Sequence, residues 1–313
     1  MYNSEQKARF ILEYSKSLST NRFATAIFNA MEPFETEWGA DLCTKDTETL
    51  QPAVDSLASV RIGRGWSPIY ILKEYVRWCI RNHVPGAVDG ITGIQIDGLK
   101  AVRTRLVSSP LHLQRCLDEV FDPLEEETVA ITYRCFFWLA FSGVYEEDVY
   151  TLTADNVDFA SQSIVIDGVS YPIYREALPT IKKAAELTSF NYKHPNYGKV
   201  VRRNRIPGEL LLRGIRGEVT KLNIRANLSK MARSAVVEGR CNTELSYSRI
   251  YLSGIFFRMY EKERAGFQVD FSEDAKRFMD GKTYQHKTRK YKQTEIEKDY
   301  EKDYQRWKMV FSV

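Results

Sequence analysis

Residues 129–141 read VAITYRCFFWLAF, a run apolar nearly all the way round a helix. A surface helix shows one apolar stripe, whereas a helix without a polar face has to be surrounded on several sides. The run falls well short of the roughly 20 residues that a bilayer span requires, so its surroundings are other parts of the protein. It is expected to be the central helix of a globular core. Farther on, residues 163–171 read SIVIDGVSY, with β-branched residues flanking Asp167-Gly168. That pair suits the positive φ angles of a two-residue hairpin turn. Helical spacing dominates thereafter, so the expected fold class is mainly α with a small β-sheet edge.

At 313 residues, 43% of them hydrophobic, the chain suits two domains better than one. Residues 87–108 are the least periodic and are rich in glycine and polar residues, which places the boundary near 108: a helical domain over 1–108 and a second domain over 109–313. The first domain reads as short helices separated by breakers, with apolar residues recurring in Phe23, Ile27 and Met31 and again in Ile69, Leu72, Val76 and Ile80. Ser67-Pro68 predicts a helix over 68–82, because serine caps free amides and proline sits in a first turn at no hydrogen-bond loss. Lys73, Arg77 and Arg81 share one side of it, with Arg61 and Arg64 just ahead. Such a stripe grips phosphates or is an ordinary wet face, and Glu74 beside it favours the latter. Ser109-Pro110 and Asp122-Pro123 read as further helix starts.

Charge separates along the chain. The net charge is +4, yet residues 193–240 hold twelve Lys or Arg against Glu209, Glu218 and Glu238, so that segment carries +9 and the remainder −5. Clustered cations neutralise phosphates better than a diffuse net charge does, which favours a nucleic-acid partner over a merely solvated face. Cys43, Cys79, Cys116, Cys135 and Cys241 are scattered, with none of the short spacings of a zinc or redox motif. Buried thiols are expected, with no metal and no cofactor. The start, Met1-Tyr2-Asn3-Ser4-Glu5, lacks the order of a signal peptide, and the expected location is the cytoplasm, with no membrane partner.

Residues 136–166 form one succession: the end of the apolar helix, the turn SGVYEED (142–148), the stretch LTADNVDF (152–159) and the hairpin. This succession resembles the tyrosine recombinase, or phage integrase, superfamily. There the turn is written Thr/Ser-Gly-x-Arg-x-x-Glu and is followed by Leu-x-x-x-Asp-Ile/Val-Asp-Phe and a three-stranded sheet edge. The arginine position is Tyr145 here and the glutamate position Asp148. Residues 245–249, LSYSR, leading into a helix that ends near Ala265-Gly266, resemble the family's His-x-x-Arg box. Arg249 fits the second catalytic arginine and Ser246 stands at the histidine position.

The family's nucleophilic tyrosine follows a His or Trp by nine residues. Tyr291, the leading candidate here, follows Lys282 instead, and the hairpin residues 163–174 contain no Lys or Arg to protonate a leaving oxygen. Tyrosine attack on a phosphodiester gathers charge on the non-bridging oxygens, which paired arginines hold with fixed donors. Loss of one such donor typically costs on the order of a hundredfold to a thousandfold in rate. With an arginine, a histidine and a lysine missing together, no intact catalytic site is expected.

What DNA binding needs is retained. In the resemblance the segment near 217–237 is a DNA-facing helix. Here it has an apolar side, Leu228, Met231, Ala232 and Ala235, and a polar stripe, Lys221, Arg225, Ser229 and Arg233, with Thr220 as its cap. Arg202, Arg203 and Arg205 precede it. Arg249 is left as a phosphate clamp or as a structural arginine paired with Asp148. Ile296, Tyr300, Tyr304, Trp307 and Phe311 form an aromatic stripe that either packs on the chain itself or mediates self-association, and the basic run Lys287, Arg289, Lys290 and Lys292 before it adds possible phosphate contacts.

The resemblance thus implies a two-domain integrase fold: a helical SAM-like N-terminal domain and a degenerate catalytic-type C-terminal domain. Within the superfamily the chain is most similar to the integrase-fold master repressors of SPβ-like prophages. That implies a sequence-specific repressor on double-stranded operator DNA, maintaining lysogeny and released by an inducer or antirepressor. A divergent recombinase and an accessory DNA-architecture factor are the alternatives.

Overall fold

The computed structural model describes residues 1–57, 68–95, 98–121, 127–193, 200–203, 208–214, 217–218, 221–280 and 292–313. The chain divides into two compact units, Met1–Val102 and Arg103–Val313. The expected caps Ser67 and Thr220 and the start at Asp122-Pro123 lie outside the described residues.

The first unit contains α1 (Ser4–Tyr14), α2 (Leu18–Trp38), α3 (Thr47–Leu57) and α4 (Pro68–Arg81). Phe10, Phe28 and Tyr75 meet at its centre, with ring centroids 5.0–5.9 Å apart. These helices are not all short: α2 runs 21 residues through Pro33, because its inward face continues from Ala24, Ile27, Phe28 and Met31 to the buried Glu35. Gly39, at φ 62°, then ends it in the left-handed region. Phe23 lies at the edge of that inward arc and Ile80 in the last turn of α4, so both are exposed, whereas the sequence placed them in the apolar faces.

An ionic network is buried within this unit. Lys7, fully buried, donates to both carboxylate oxygens of the fully buried Glu35 and lies 3.7 Å from Asp41. Glu35 also accepts from the Leu42 N–H, while Asp41 accepts from the Cys43 N–H and from the Tyr75 hydroxyl at 2.9 Å. Burial pushes the Glu35 carboxyl up, and the Lys7 hydrogen bond opposes that.

In the second unit, α6 (Pro110–Phe121) starts where Ser109 Oγ accepts from the His112 N–H at 3.1 Å. The apolar run forms α7 (Glu127–Ser142), buried on nearly every side. It packs against α9 (Leu178–Ala185), α11 (Tyr247–Arg264) and β4 (Phe190–Lys193). The short helix α8 (Glu146–Val149) follows it. Next comes a three-stranded antiparallel sheet, β1 (Val157–Asp158), β2 (Ser163–Ile166) and β3 (Val169–Pro172), with Ile164 opposite Tyr171. Asp167 and Gly168, at φ 48° and 79°, make the tight turn.

Helices dominate from there on, as expected, with two short hairpins set among them. β4 pairs with β5 (Val200–Arg203), and β6 (Arg213–Gly214) with β7 (Gly217–Glu218), so part of the basic segment is strand. Then come α10 (Lys221–Val237), α11, α12 (Ser272–Asp280) and α13 (Gln293–Phe311). The aromatic stripe of α13 is used within the chain. Trp307 is fully buried and its indole N–H donates to the Val107 carbonyl, Tyr304 donates to Glu263 at 2.6 Å, and Tyr300 stacks on Phe271.

The units divide six residues before 108, inside α5 (Gly98–Arg105), a helix absent from the sequence reading. Residues 104–107 pack into the second unit: the Thr104 carbonyl accepts from the Glu244 N–H, Arg105 faces Glu244, and the Val107 N–H donates to Ser253.

Candidate nucleic-acid interface

The turn after α7 is built by Gly143, at φ +95°. Its N–H and that of Val144 return to the Ala140 and Leu139 carbonyls, closing the helix end. A side chain at 143 would place its Cβ 2.7 Å from Arg258 Nη2, and Arg258 donates to the Phe141 carbonyl at 2.9 Å. Glycine is thus favoured by the backbone conformation, and a side chain here would also push the end of the Arg258 side chain aside.

Tyr145 comes next, half-buried, at the head of α8. Its ring stacks on Tyr251 of α11, with centroids 5.7 Å apart and planes 24° apart. Burial pushes its phenol up, so Tyr145 presents a neutral ring at this position. Tyr247 is buried, donates to the Val144 carbonyl at 2.8 Å and packs on Phe136, and burial raises its hydroxyl well above the ordinary value. It ties the head of α11 to the turn after α7 and is in no position to exchange protons at neutral pH. Ser246 precedes it as the N-cap residue of α11 and makes no side-chain capping bond. Ser246, Ser248 and the buried Glu146 line a cavity of about 280 Å³ with Phe136, Phe137, Leu228, Leu245 and Tyr247. Asp148 is half-buried beside these elements; burial chiefly raises the hydroxyls of Tyr171 and Tyr247, and the charge of Asp148 adds to it.

Arg249 has a partner other than the one expected. Its Nη1 lies 3.1 Å from a Glu244 carboxylate oxygen and 3.3 Å from the Glu244 carbonyl, so the pairing with Asp148 is replaced by one with Glu244, five residues earlier. The same carboxylate oxygen lies 3.8 Å from Arg105. Sequence reading missed Arg105, which stands far away in the chain from its partners. It missed Arg277 as well. The hairpin has no cation of its own, but the Arg277 guanidinium of α12 lies over the Tyr171 ring of β3, 5.7 Å from its centroid.

The cations of the basic segment divide by role. Arg202 on β5 and Arg233 on α10 are exposed. Arg213 donates to the Gly208 and Ala185 carbonyls, and Arg240 to Glu238 and to the Glu119 and Val120 carbonyls, so both brace the fold. Arg203 lies on β5 opposite Phe190, and Lys221 and Arg225 lie in the first turns of α10. The apolar side of α10 is as expected: Leu228, Ala232 and Ala235 are buried, joined by Ile224, with Met231 half-buried. In the first unit Lys73 is half-buried, while Arg77 is exposed and ion-paired with Glu74 at 2.9 Å. Arg61, Arg64, Arg205 and Tyr291 lie outside the described residues, as do Lys287, Arg289 and Lys290.

Residues 1–81 match the family model of the MrpR N-terminal core-binding domain. The matched segment covers α1 to α4 of the first unit, with the Lys7–Glu35–Asp41 network at its centre. The N-terminal part of the chain is therefore similar to the core-binding domain of MrpR. No curated protein matches the chain. No helix among the described residues is long and apolar enough to cross a membrane.

Proposed function

We propose that the chain is a sequence-specific DNA-binding repressor on a two-domain integrase fold, which holds operator DNA without cutting it. The observation that carries this reading is the Tyr145–Tyr251 stack. A stabilising site for a phosphodiester transition state needs fixed cationic donors, and at the arginine position of the turn the chain instead packs two aromatic rings together. Ser246 offers no imidazole. The resemblance to MrpR over 1–81 supports a repressor over a recombinase.

In this reading both the N-terminal helices and the catalytic-type domain bind DNA. Arg61, Arg64, Lys73 and Arg77 contribute phosphate contacts from the first. Arg202, Arg203, Arg205, Lys221, Arg225, Arg233 and Arg249 contribute them from the second. The repressor acts in the cytoplasm at prophage operators, and an inducer or antirepressor releases it to end lysogeny.

Genome-wide footprinting with the purified protein tests the function. Protected sites overlapping phage promoters, with transcription from them reduced by the protein, are expected. A single attachment-like site with strand exchange would make the chain a divergent recombinase. Bending of sites without any effect on transcription would make it an architectural factor.

A further inference from the structure

The fold assembles a ligand set that no local spacing announces. Cys116 and Glu119 are one turn apart on α6, and Cys241 follows α10, more than a hundred residues later. The two sulfurs and a Glu119 carboxylate oxygen lie within 4.8 Å of one another. Both cysteines are buried and reduced, while Glu119 is exposed, so the group opens to solvent on its carboxylate side. We propose that Cys116, Cys241 and Glu119 bind one zinc ion, which fastens the segment after α10 to α6.

The geometry is close to what the metal asks. Zinc bonds sulfur at about 2.3 Å and carboxylate oxygen at about 2.0–2.2 Å, so tetrahedral ligand atoms stand roughly 3.5–3.8 Å apart, and the present separations, none above 4.8 Å, have to close by at most about 1.3 Å. The donor set selects the metal. Two thiolates suit zinc and disfavour magnesium and calcium, which take oxygen ligands. Three protein ligands leave a fourth position for water on the exposed side.

The surroundings are those of a thiolate ligand. The Thr243 N–H already donates to Cys241 Sγ at 3.4 Å, the kind of outer contact that orients a ligand and stabilises its charge. The Cys241 thiol proton rests on the Thr243 carbonyl at 3.3 Å. On binding, Zn²⁺ displaces this proton and the Cys116 thiol proton to solvent, and two sulfur–zinc bonds form with no change in oxidation state. Arg240 holds the two segments together from the other side, through the Glu119 carbonyl at 2.8 Å. The tie falls just past Gly239, where α10 ends in a left-handed turn at φ 68°. Metal occupancy would thus stiffen the C-terminal end of α10.

The test uses the full chain, stripped of metal and kept reduced. It is titrated with Zn(II) against a chromophoric chelator, and in parallel with Co(II), read by thiolate-to-cobalt charge-transfer absorption. One zinc per chain and a charge-transfer band are expected. Cys241→Ser should lose the band, and Glu119→Gln, a change at an exposed position, should keep it while weakening zinc binding about tenfold or more. The proposal is overturned if the fully reduced wild-type protein binds neither metal. It is equally overturned if both variants bind as tightly as wild type, or if the only product is a Cys116–Cys241 disulfide.

Discussion

Arg249 and Glu244 form a pair closed twice, through the carboxylate at 3.1 Å and through the Glu244 carbonyl at 3.3 Å. Arg105 lies 3.8 Å from the same carboxylate, so one acid restrains two guanidinium groups. Arg249 is partly exposed, and removing the acid's charge frees its guanidinium for a phosphate. Glu244→Gln should therefore tighten DNA binding and steepen its salt dependence by up to about one counterion. An unchanged slope, from affinities measured across a salt series, would place these arginines away from the DNA.

The same measurement separates the cations of the basic segment. Arg202→Ala and Arg233→Ala remove exposed charges and should each lower the slope of log K against log salt by about 0.9. Arg213→Ala and Arg240→Ala remove donors to backbone carbonyls. They should lower the unfolding free energy by about 1 kcal/mol or more and leave the slope nearly as it is. The reverse pattern would move the interface off β5 and α10.

Lys7→Met tests the ionic network of the first unit. Losing Lys7 leaves the fully buried Glu35 uncompensated, and removal of one partner of a buried pair typically costs about 3–5 kcal/mol. The double change Lys7→Met with Glu35→Leu should recover part of that, since Glu35 is then no longer stranded, while Asp41 keeps its hydrogen bonds from the Cys43 N–H and the Tyr75 hydroxyl but loses the nearby ammonium. Urea denaturation decides the matter; a single variant as stable as wild type would show that the network is not a keystone of α1 and α2.

What could be read from the sequence follows from how local each signal is. The apolar run of α7, the Asp167-Gly168 turn and the Ser109-Pro110 start are decided within a few residues, and each appears as expected. Nothing in the sequence marks Lys7, Glu35 and Asp41, because their partners are up to 34 residues apart. Arg105 and Arg277 were overlooked for the same reason, each acquiring its meaning from a distant element. Arg249 was picked out by its box, but Glu244, only five residues before it, was passed over because the family pattern pointed to Asp148. The strands of 190–218 were hidden in a segment whose charge drew attention away from its alternation.

His112 gives a pH signature to the second unit. Burial, and then the nearby Arg115, lower its pKa from 6.5. Its Nδ1 accepts from the Ser108 N–H at 3.1 Å and its ring meets Phe311 at the end of α13. The unfolded chain therefore takes up the proton first. This contribution to stability is complete above about pH 6.5 and is lost as pH falls from there towards the folded value. His112→Gln keeps an acceptor for Ser108 without the titration, so the stability difference between wild type and variant should shift in the variant's favour on going from pH 7.5 to 5.5. A difference constant across that range would remove His112 from the account.

The central claim is that the chain binds its DNA and leaves the strands whole. It is tested by incubating the protein with its cognate duplex, nicked so that any phosphotyrosine bond is trapped, and looking for a covalent adduct on a denaturing gel. The wild-type protein should shift the duplex yet give no adduct, and so should Tyr145→Arg, because the histidine and lysine positions stay empty. A stable adduct with the wild-type protein, lost in Tyr291→Phe, would contradict the account.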